Sequence, residues 1–125
     1  MIFGIGIDLI EVQRVADKMN KKEGFAQLVF SQKEIAYCET KANKFEHFAA
    51  RFAAKEAFFK ALGSGWKNGT SFNEIEILGD EEGKPELILL GNTAVNIAAM
   101  KLGKISVSLS HLKSIASAIV IIENL

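Results

Sequence analysis

Hydrophobic and polar positions alternate most clearly at the two ends of the chain. Near the start, Phe3, Ile5, Ile7 and Leu9 fall on one side of an extended segment and Gly4, Gly6 and Asp8 on the other, which predicts a strand from Ile2 to Ile10. Near the end, Ile105, Val107, Leu109 and His111 alternate with Ser106, Ser108 and Ser110. After a turn at Leu112 and Lys113, the apolar run Ala116 to Ile122 predicts the partner strand of a hairpin. Between these ends the period changes to that of helices. Glu11 to Lys22 predicts a short helix, Ser31 with Glu34 three residues on is a capping-box start for a second that runs through about Lys41, and Phe45 to Gly65 predicts a long one ended by glycines. Ile75 to Leu78 and Glu86 to Leu90 flank the turn GDEEGKP and predict another hairpin, after which Asn92 to Leu102 returns to helical spacing with Gly103 as its stop. The order strand, helices, hairpin, helix, hairpin is α+β, with an antiparallel sheet packed around the long central helix.

That central helix carries the first trace of chemistry. At about 100° per residue, Phe45, Phe48, Phe52 and Phe59 share one stripe, and Glu56 falls in its middle. A second apolar face holds Ala50, Ala54, Phe58 and Ala61, so the helix is expected to be buried on most sides. The remaining gap holds Lys44, His47, Arg51 and Lys55 as a narrow basic ridge, and Lys60 follows Glu56 by one turn. Glu56 and Lys60 are either an ordinary i,i+4 ion pair or part of a site. A carboxylate among aromatic rings is costly without a cation or hydrogen bonds, so a metal ion or the neighbouring lysine is expected beside it. Asp8, on the glycine-cleared face of the first strand, is either the N-cap of the next helix or a second carboxylate of that site.

Composition narrows the field. With 125 residues, of which 49% are hydrophobic, the chain suits a single domain over residues 1–125 with a real core. Fifteen basic residues balance fifteen acidic ones, so nothing argues for nonspecific nucleic-acid binding. Arg14, Lys18, Lys21 and Lys22 nevertheless make a basic face on the first helix, read either as solvated surface or as a docking face for an acidic partner. The lone Cys38 permits no intrachain disulfide and reads as a small buried hydrophobe. No apolar run approaches the roughly 20 residues that cross a bilayer, and no basic leader precedes the first strand, so a soluble, cytoplasmic protein is expected.

Several chemistries fall away. Ser110 and His111 are strand neighbours and point to opposite faces, which removes them as a nucleophile and base pair. His47 and His111 lack zinc-motif spacing, and Gly63, Ser64 and Gly65 follow a helix where a phosphate-cradling loop would precede one. An oxygen-ligand site remains: Asp8 and Glu56 suit magnesium, with Lys60, Arg51 and Lys55 supplying positive charge for a phosphate group. Phosphoryl-type transfer is the expected reaction class.

GIDLIEVQRV at Gly6 to Val15, RFAAKEAFFKALGSG at Arg51 to Gly65, NEIEI at Asn73 to Ile77, the GKP turn at Gly83 to Pro85 and SLSH at Ser108 to His111 follow one another along nearly the whole chain. In that order and spacing they resemble the small bacterial 4'-phosphopantetheinyl transferases of the holo-acyl-carrier-protein synthase family. The resemblance implies that family's fold and a magnesium-dependent reaction in support of fatty acid biosynthesis. A serine hydroxyl of apo acyl carrier protein attacks the β-phosphorus of coenzyme A, takes 4'-phosphopantetheine and releases 3',5'-ADP. It also implies that Asp8 and Glu56 hold magnesium and that, with them, Lys60 is catalytic. Arg51, Lys60, Gly63, Ser64 and Gly65 would line the coenzyme A site. Ser108, Ser110 and His111 would bind nucleotide phosphates, and Lys84 and Pro85 would stand near the adenine. Arg14, on the basic face of Lys18, Lys21 and Lys22, would meet the acidic helix of the carrier. A homotrimer with active sites between subunits is implied as well. The departures are small: Ala50 where glycine is common, Ser64 where threonine is, and Leu112 where a small polar residue is usual. The proton acceptor stays open between Glu56 and a metal-bound water. A noncatalytic coenzyme A-binding module and a magnesium-dependent phosphohydrolase are the rival readings.

Overall fold

A computed structural model of the chain describes residues 1–63 and 69–125. The elements run β1 (Ile2–Glu11), α1 (Val12–Lys21), α2 (Phe25–Val29), α3 (Gln32–Glu39), α4 (Lys44–Leu62), β2 (Ile75–Gly79), β3 (Pro85–Leu89), α5 (Gly91–Ala98), β4 (Leu102–His111) and β5 (Ile115–Asn124). Two antiparallel sheets result, β1-β5-β4 and the hairpin β2-β3, so the expected α+β architecture is present. The register sets Asp8, Ala118 and Leu109 in one row across the larger sheet, and Ile7, Ile119 and Ser108 in the next.

α4 lies against that sheet because the strands present small or apolar residues on one side. Ala116, Ala118, Val120 and Ile122 of β5 are buried there, and the last three share a core with Ala53, Ala54, Ala57 and Phe58 of α4. Each fully buried valine or isoleucine contributes about 1.5–3 kcal/mol relative to exposure. Gly4 and Gly6 let the helix approach β1 closely. A Cβ on Gly4 would stand 1.9 Å from the Ala61 carbonyl oxygen, and one on Gly6 would stand 1.9 Å from that of Ala57. The glycine-cleared face therefore receives a helix. The opposite face of β1 leaves Ile5 at 56%, Ile7 at 62% and Leu9 at 67% exposure. A second core joins α1, α3 and the first half of α4, with the Phe30 and Phe48 ring centroids 4.9 Å apart.

Several local expectations hold. Ser31 and Glu34 form the full capping box of α3, and Gly63 takes φ 79° as the left-handed cap of α4, donating its N–H to the Phe59 and Lys60 carbonyls. Ser64 and Gly65 lie outside the described residues. Others change. Asp8 is not the N-cap of α1: Glu11 occupies that position without a side-chain cap bond, and Val12 N–H donates to Ser114 O at 2.9 Å. α2 went unforeseen because five residues show too little of a helical period. Gly103 does not stop α5, which ends at Ala98. It belongs to β4 instead, where a Cβ would meet Asn124 O at 2.6 Å, so the residue is small for the sake of the neighbouring strand.

Candidate active site

The close approach of β1 and α4 brings three charged side chains into one seam. Asp8 is the next residue after Gly4 and Gly6 on the helix-facing side, and there Lys60 Nζ donates to Asp8 Oδ1 at 3.0 Å and to Ile7 O at 3.0 Å. The lysine thus spans to the strand, and its pair is with Asp8 rather than with Glu56 one turn back. Glu56 stands close to both. Burial, and after it the Asp8 charge, hold its carboxyl above the usual range, while Lys60 and Lys18 pull the other way. Lys18 of α1 reaches this place because its Nζ lies 5.9 Å from the Phe52 ring centroid, one helical turn before Glu56.

Two neighbouring carboxylates, one of them bonded to an ammonium that also reaches a carbonyl oxygen, make an oxygen-rich seam. The all-oxygen donor set suits a hard divalent ion, and Lys60 stands where such an ion would draw charge. Among the described residues no group of three or more His, Cys, Asp or Glu is arranged to hold a metal ion, so two carboxylates would leave most of a magnesium shell to water and phosphate oxygens.

A separate cavity of about 420 Å³ opens on another flank of α4, lined by Arg51, His47, His111, Tyr37, Pro85 and Leu109 among others. Arg51 and Glu56 lie about 140° apart around the helix, so the two places face different ways. Arg51 is 5% exposed; its Nε donates to Ile77 O at 3.0 Å, and the guanidinium carbon stacks 4.7 Å from the Tyr37 ring centroid. His111 Nδ1 lies 2.8 Å from Glu46 Oε1, and its ring centroid is 5.2 Å from that of His47. Burial first, then the Arg51 and His111 charges, hold His47 below the usual histidine value. Lys84 lies in an adjoining cavity of about 320 Å³ together with Pro85, Lys104 and Ser106.

The structure thus brings Asp8, Glu56 and Lys60 together, and Arg51, Pro85 and His111 together, but keeps the two sets apart within one chain. Ser108 and Ser110 join neither, because they are exposed on the face of β4 opposite His111, in rows with Ile119 and Ser117. Arg14 and Lys21 are exposed on α1 and Lys22 at its C-cap, whereas Lys18 turns toward Phe52.

Lys55 requires a correction. It is not a basic group for phosphate: its side chain is 0% exposed and its Nζ donates to Glu34 Oε1 at 2.7 Å, to Phe72 O at 2.8 Å and to Ile75 O. The supposed basic ridge is likewise no solvent face, since Arg51 and Lys55 are both buried. Sequence reading missed the reason, namely that β2 lies over this side of α4. Glu34 was visible only as a cap, and Tyr37 and Glu46 carried no pattern at all. Cys38 is fully buried, its thiol pushed up to about 11 by burial, which makes it inert.

The model of the 4'-phosphopantetheinyl transferase superfamily matches residues 4–116. The chain belongs to that superfamily. It is 41% identical over 124 residues to holo-[acyl-carrier-protein] synthase of Geotalea daltonii, covering 98% of this chain and 99% of the relative. The crystal structure of holo-[acyl-carrier-protein] synthase from Neisseria meningitidis superposes with a TM-score of 0.90 at 30% identity, covering 99% and 100% of the two chains. That of the Bacillus anthracis enzyme in complex with coenzyme A (3',5'-ADP) gives 0.82 at 35% identity, covering 100% and 99%.

Proposed function

We propose that this chain transfers 4'-phosphopantetheine from coenzyme A to a serine hydroxyl of apo acyl carrier protein and releases 3',5'-ADP. The observation that carries the reading is the seam in which Lys60 holds Asp8 beside Glu56. Family membership and a coenzyme A-bound relative of the same fold support it. In the reaction the serine Oγ bonds to the β-phosphorus, the bond from that phosphorus to the bridging oxygen breaks, and the ADP phosphate takes the electron pair. Lys60 offsets charge developing on the phosphate oxygens in a seam that water only partly enters. Asp8 and Glu56 would hold magnesium, which supplies charge neutralisation at the pyrophosphate when bound. Glu56 or a water would take the serine proton.

Arg51, His111, Lys84 and Pro85 take the nucleotide end, and the exposed Arg14, Lys21 and Lys22 meet an acidic carrier. The resemblance implies a homotrimer, and active sites between its subunits would unite the two site halves that lie apart in one chain. The exposed Ile5, Ile7 and Leu9 give it an apolar surface to bury. The chain acts as a single domain, in the cytoplasm, in support of fatty acid biosynthesis. No helix among the described residues is long and apolar enough to cross a membrane.

Incubation with coenzyme A, magnesium and apo acyl carrier protein, followed by intact-mass measurement of the carrier, tests the reading. A phosphopantetheine adduct is expected. An unmodified carrier overturns it, and free 4'-phosphopantetheine in its place points to water as acceptor. Sedimentation equilibrium tests the trimer, and a monomer across the working concentration range overturns it.

A further inference from the structure

A two-stranded sheet leaves each strand with an unpaired outer edge, and an edge buried against helices must still find partners for its N–H and C=O groups. The outer edge of β2 finds them in three side chains. Lys55 Nζ donates to Ile75 O, Arg51 Nε donates to Ile77 O at 3.0 Å, and Ile77 N–H donates to Glu34 Oε2 at 3.0 Å. The other Glu34 oxygen accepts from Lys55 Nζ at 2.7 Å and from Ser31 N–H at 2.9 Å, and Ser31 Oγ donates to Glu76 Oε2 at 2.7 Å. Glu34 and Lys55 have no exposed side-chain surface.

A buried ion pair by itself is weak evidence for stability, since apolar residues of similar volume often serve as well. Apolar residues cannot, however, satisfy Ile75 O and Ile77 N–H. Geometry is therefore what this pair provides. Ile77 is held on both sides, by Glu34 at its N–H and by Arg51 at its carbonyl. The residues that follow it, Leu78, Gly79 and Asp80, line the cavity with Arg51, as do Gly83 and Pro85 across the turn. Burial draws the Lys55 ammonium below its usual value and Glu34 opposes this, so each charge depends on the other for its place in the interior.

We propose that Glu34, paired with Lys55, is a positioning residue for the nucleotide end of coenzyme A: it fixes the β2–β3 hairpin and Arg51 together as one wall of the cavity. It acts on donor binding and leaves the transfer step alone. The proposal rests on the reading that this cavity receives the nucleotide, and the measurements separate the two.

Glu34→Gln keeps the side-chain shape and removes the charge, Lys55→Met removes the cation, and Val15→Ala is a destabilising control in the second core, which no residue of the hairpin joins. Titration calorimetry with 3',5'-ADP, at a temperature where each variant is fully folded, gives the binding constant. Steady-state assays give kcat and the separate KM values for coenzyme A and carrier. In Glu34→Gln, Kd for 3',5'-ADP and KM for coenzyme A should rise about tenfold, as for loss of one buried charged hydrogen bond. Both kcat and KM for carrier should stay within about twofold. Hydrogen exchange of amides 75–89 should quicken while β5 stays protected. Unchanged 3',5'-ADP affinity in Glu34→Gln, or an equal loss in Val15→Ala at matched stability, overturns the proposal. If Lys55→Met fails to fold, Glu34→Gln with the exchange measurement still decides. Arg51→Ala separates the premise: wild-type 3',5'-ADP affinity there overturns the nucleotide assignment itself. A loss in Arg51→Ala with none in Glu34→Gln overturns only the positioning role.

Discussion

Two lysine–carboxylate pairs flank α4, and they differ mainly in how much water reaches them. Lys55 meets Glu34 at 2.7 Å with neither side chain exposed, whereas Lys60 meets Asp8 at 3.0 Å with 55% of the lysine side chain exposed. A pair as open as the second is worth at most about 1 kcal/mol, because solvent and salt screen it. Breaking the first strands a charge in the interior and costs about 3–5 kcal/mol. Lys60 is therefore free to leave Asp8 when a phosphate or a cation arrives, while Lys55 is committed to the scaffold. Two residues of one type on one helix meet different surroundings according to which sheet covers them.

The largest expected effect comes from forcing this difference. Lys55→Met should lower stability by about 3–5 kcal/mol in urea unfolding, and the double change Glu34→Gln/Lys55→Met should recover part of it. A loss below about 1 kcal/mol would mean that the buried pair behaves like the open one. On the other flank, Asp8→Ala and Glu56→Ala should each reduce phosphopantetheine transfer by at least about 10²-fold while stability changes by no more than about 1 kcal/mol. Wild-type rates at saturating magnesium in either variant would remove the ligand role.

Gly6→Ala sharpens the comparison by opening the seam. Its Cβ would meet backbone on the Ala57 carbonyl at 1.9 Å and on the Ala61 nitrogen at 2.7 Å, so the helix must move. A loss of about 1–3 kcal/mol is expected, with transfer falling as Asp8 and Glu56 separate. An unaffected melting temperature would contradict the close packing. A smaller effect is expected from Arg14→Glu, which should raise KM for the carrier more than KM for coenzyme A, most clearly at low salt. Equal changes in both constants count against docking on α1.

The smallest effect is a pH dependence at the cavity. His47 is held below the usual histidine value of 6.5 by burial, Arg51, His111 and Lys41, with Glu46 opposing. The unfolded chain thus takes up that proton first as pH falls, so the His47 contribution to stability is present above 6.5 and is lost as pH drops through the folded value. Urea midpoints from about pH 7 to about pH 5 should fall less in His47→Gln than in wild type. Parallel curves would show that His47 is not held low.

Legibility in the sequence followed the range of the interactions involved. The strands, the capping box at Ser31 and the left-handed end of α4 at Gly63 rest on neighbours within a few residues, and their patterns are visible in the chain itself. The candidate site was half legible. Asp8 beside two glycines and Glu56 in a phenylalanine stripe are local anomalies that point to chemistry. That Lys60 reaches across to Asp8, 52 residues away, follows only from how closely β1 and α4 pack. Lys55 shows the limit: its helical position matched a basic ridge, and the covering strand begins 20 residues later in the chain.

By itself the sequence determined the α+β order of elements, the family and the residue types capable of holding a cation and a phosphate, because these depend on periodicity and local chemistry. Tertiary structure decided which of the α4 cations meets solvent, since burial depends on what packs above a residue rather than on its neighbours in the chain. It also decided that His111 joins Arg51 and that Lys60 reaches Asp8, since the members of each set lie far apart in the chain.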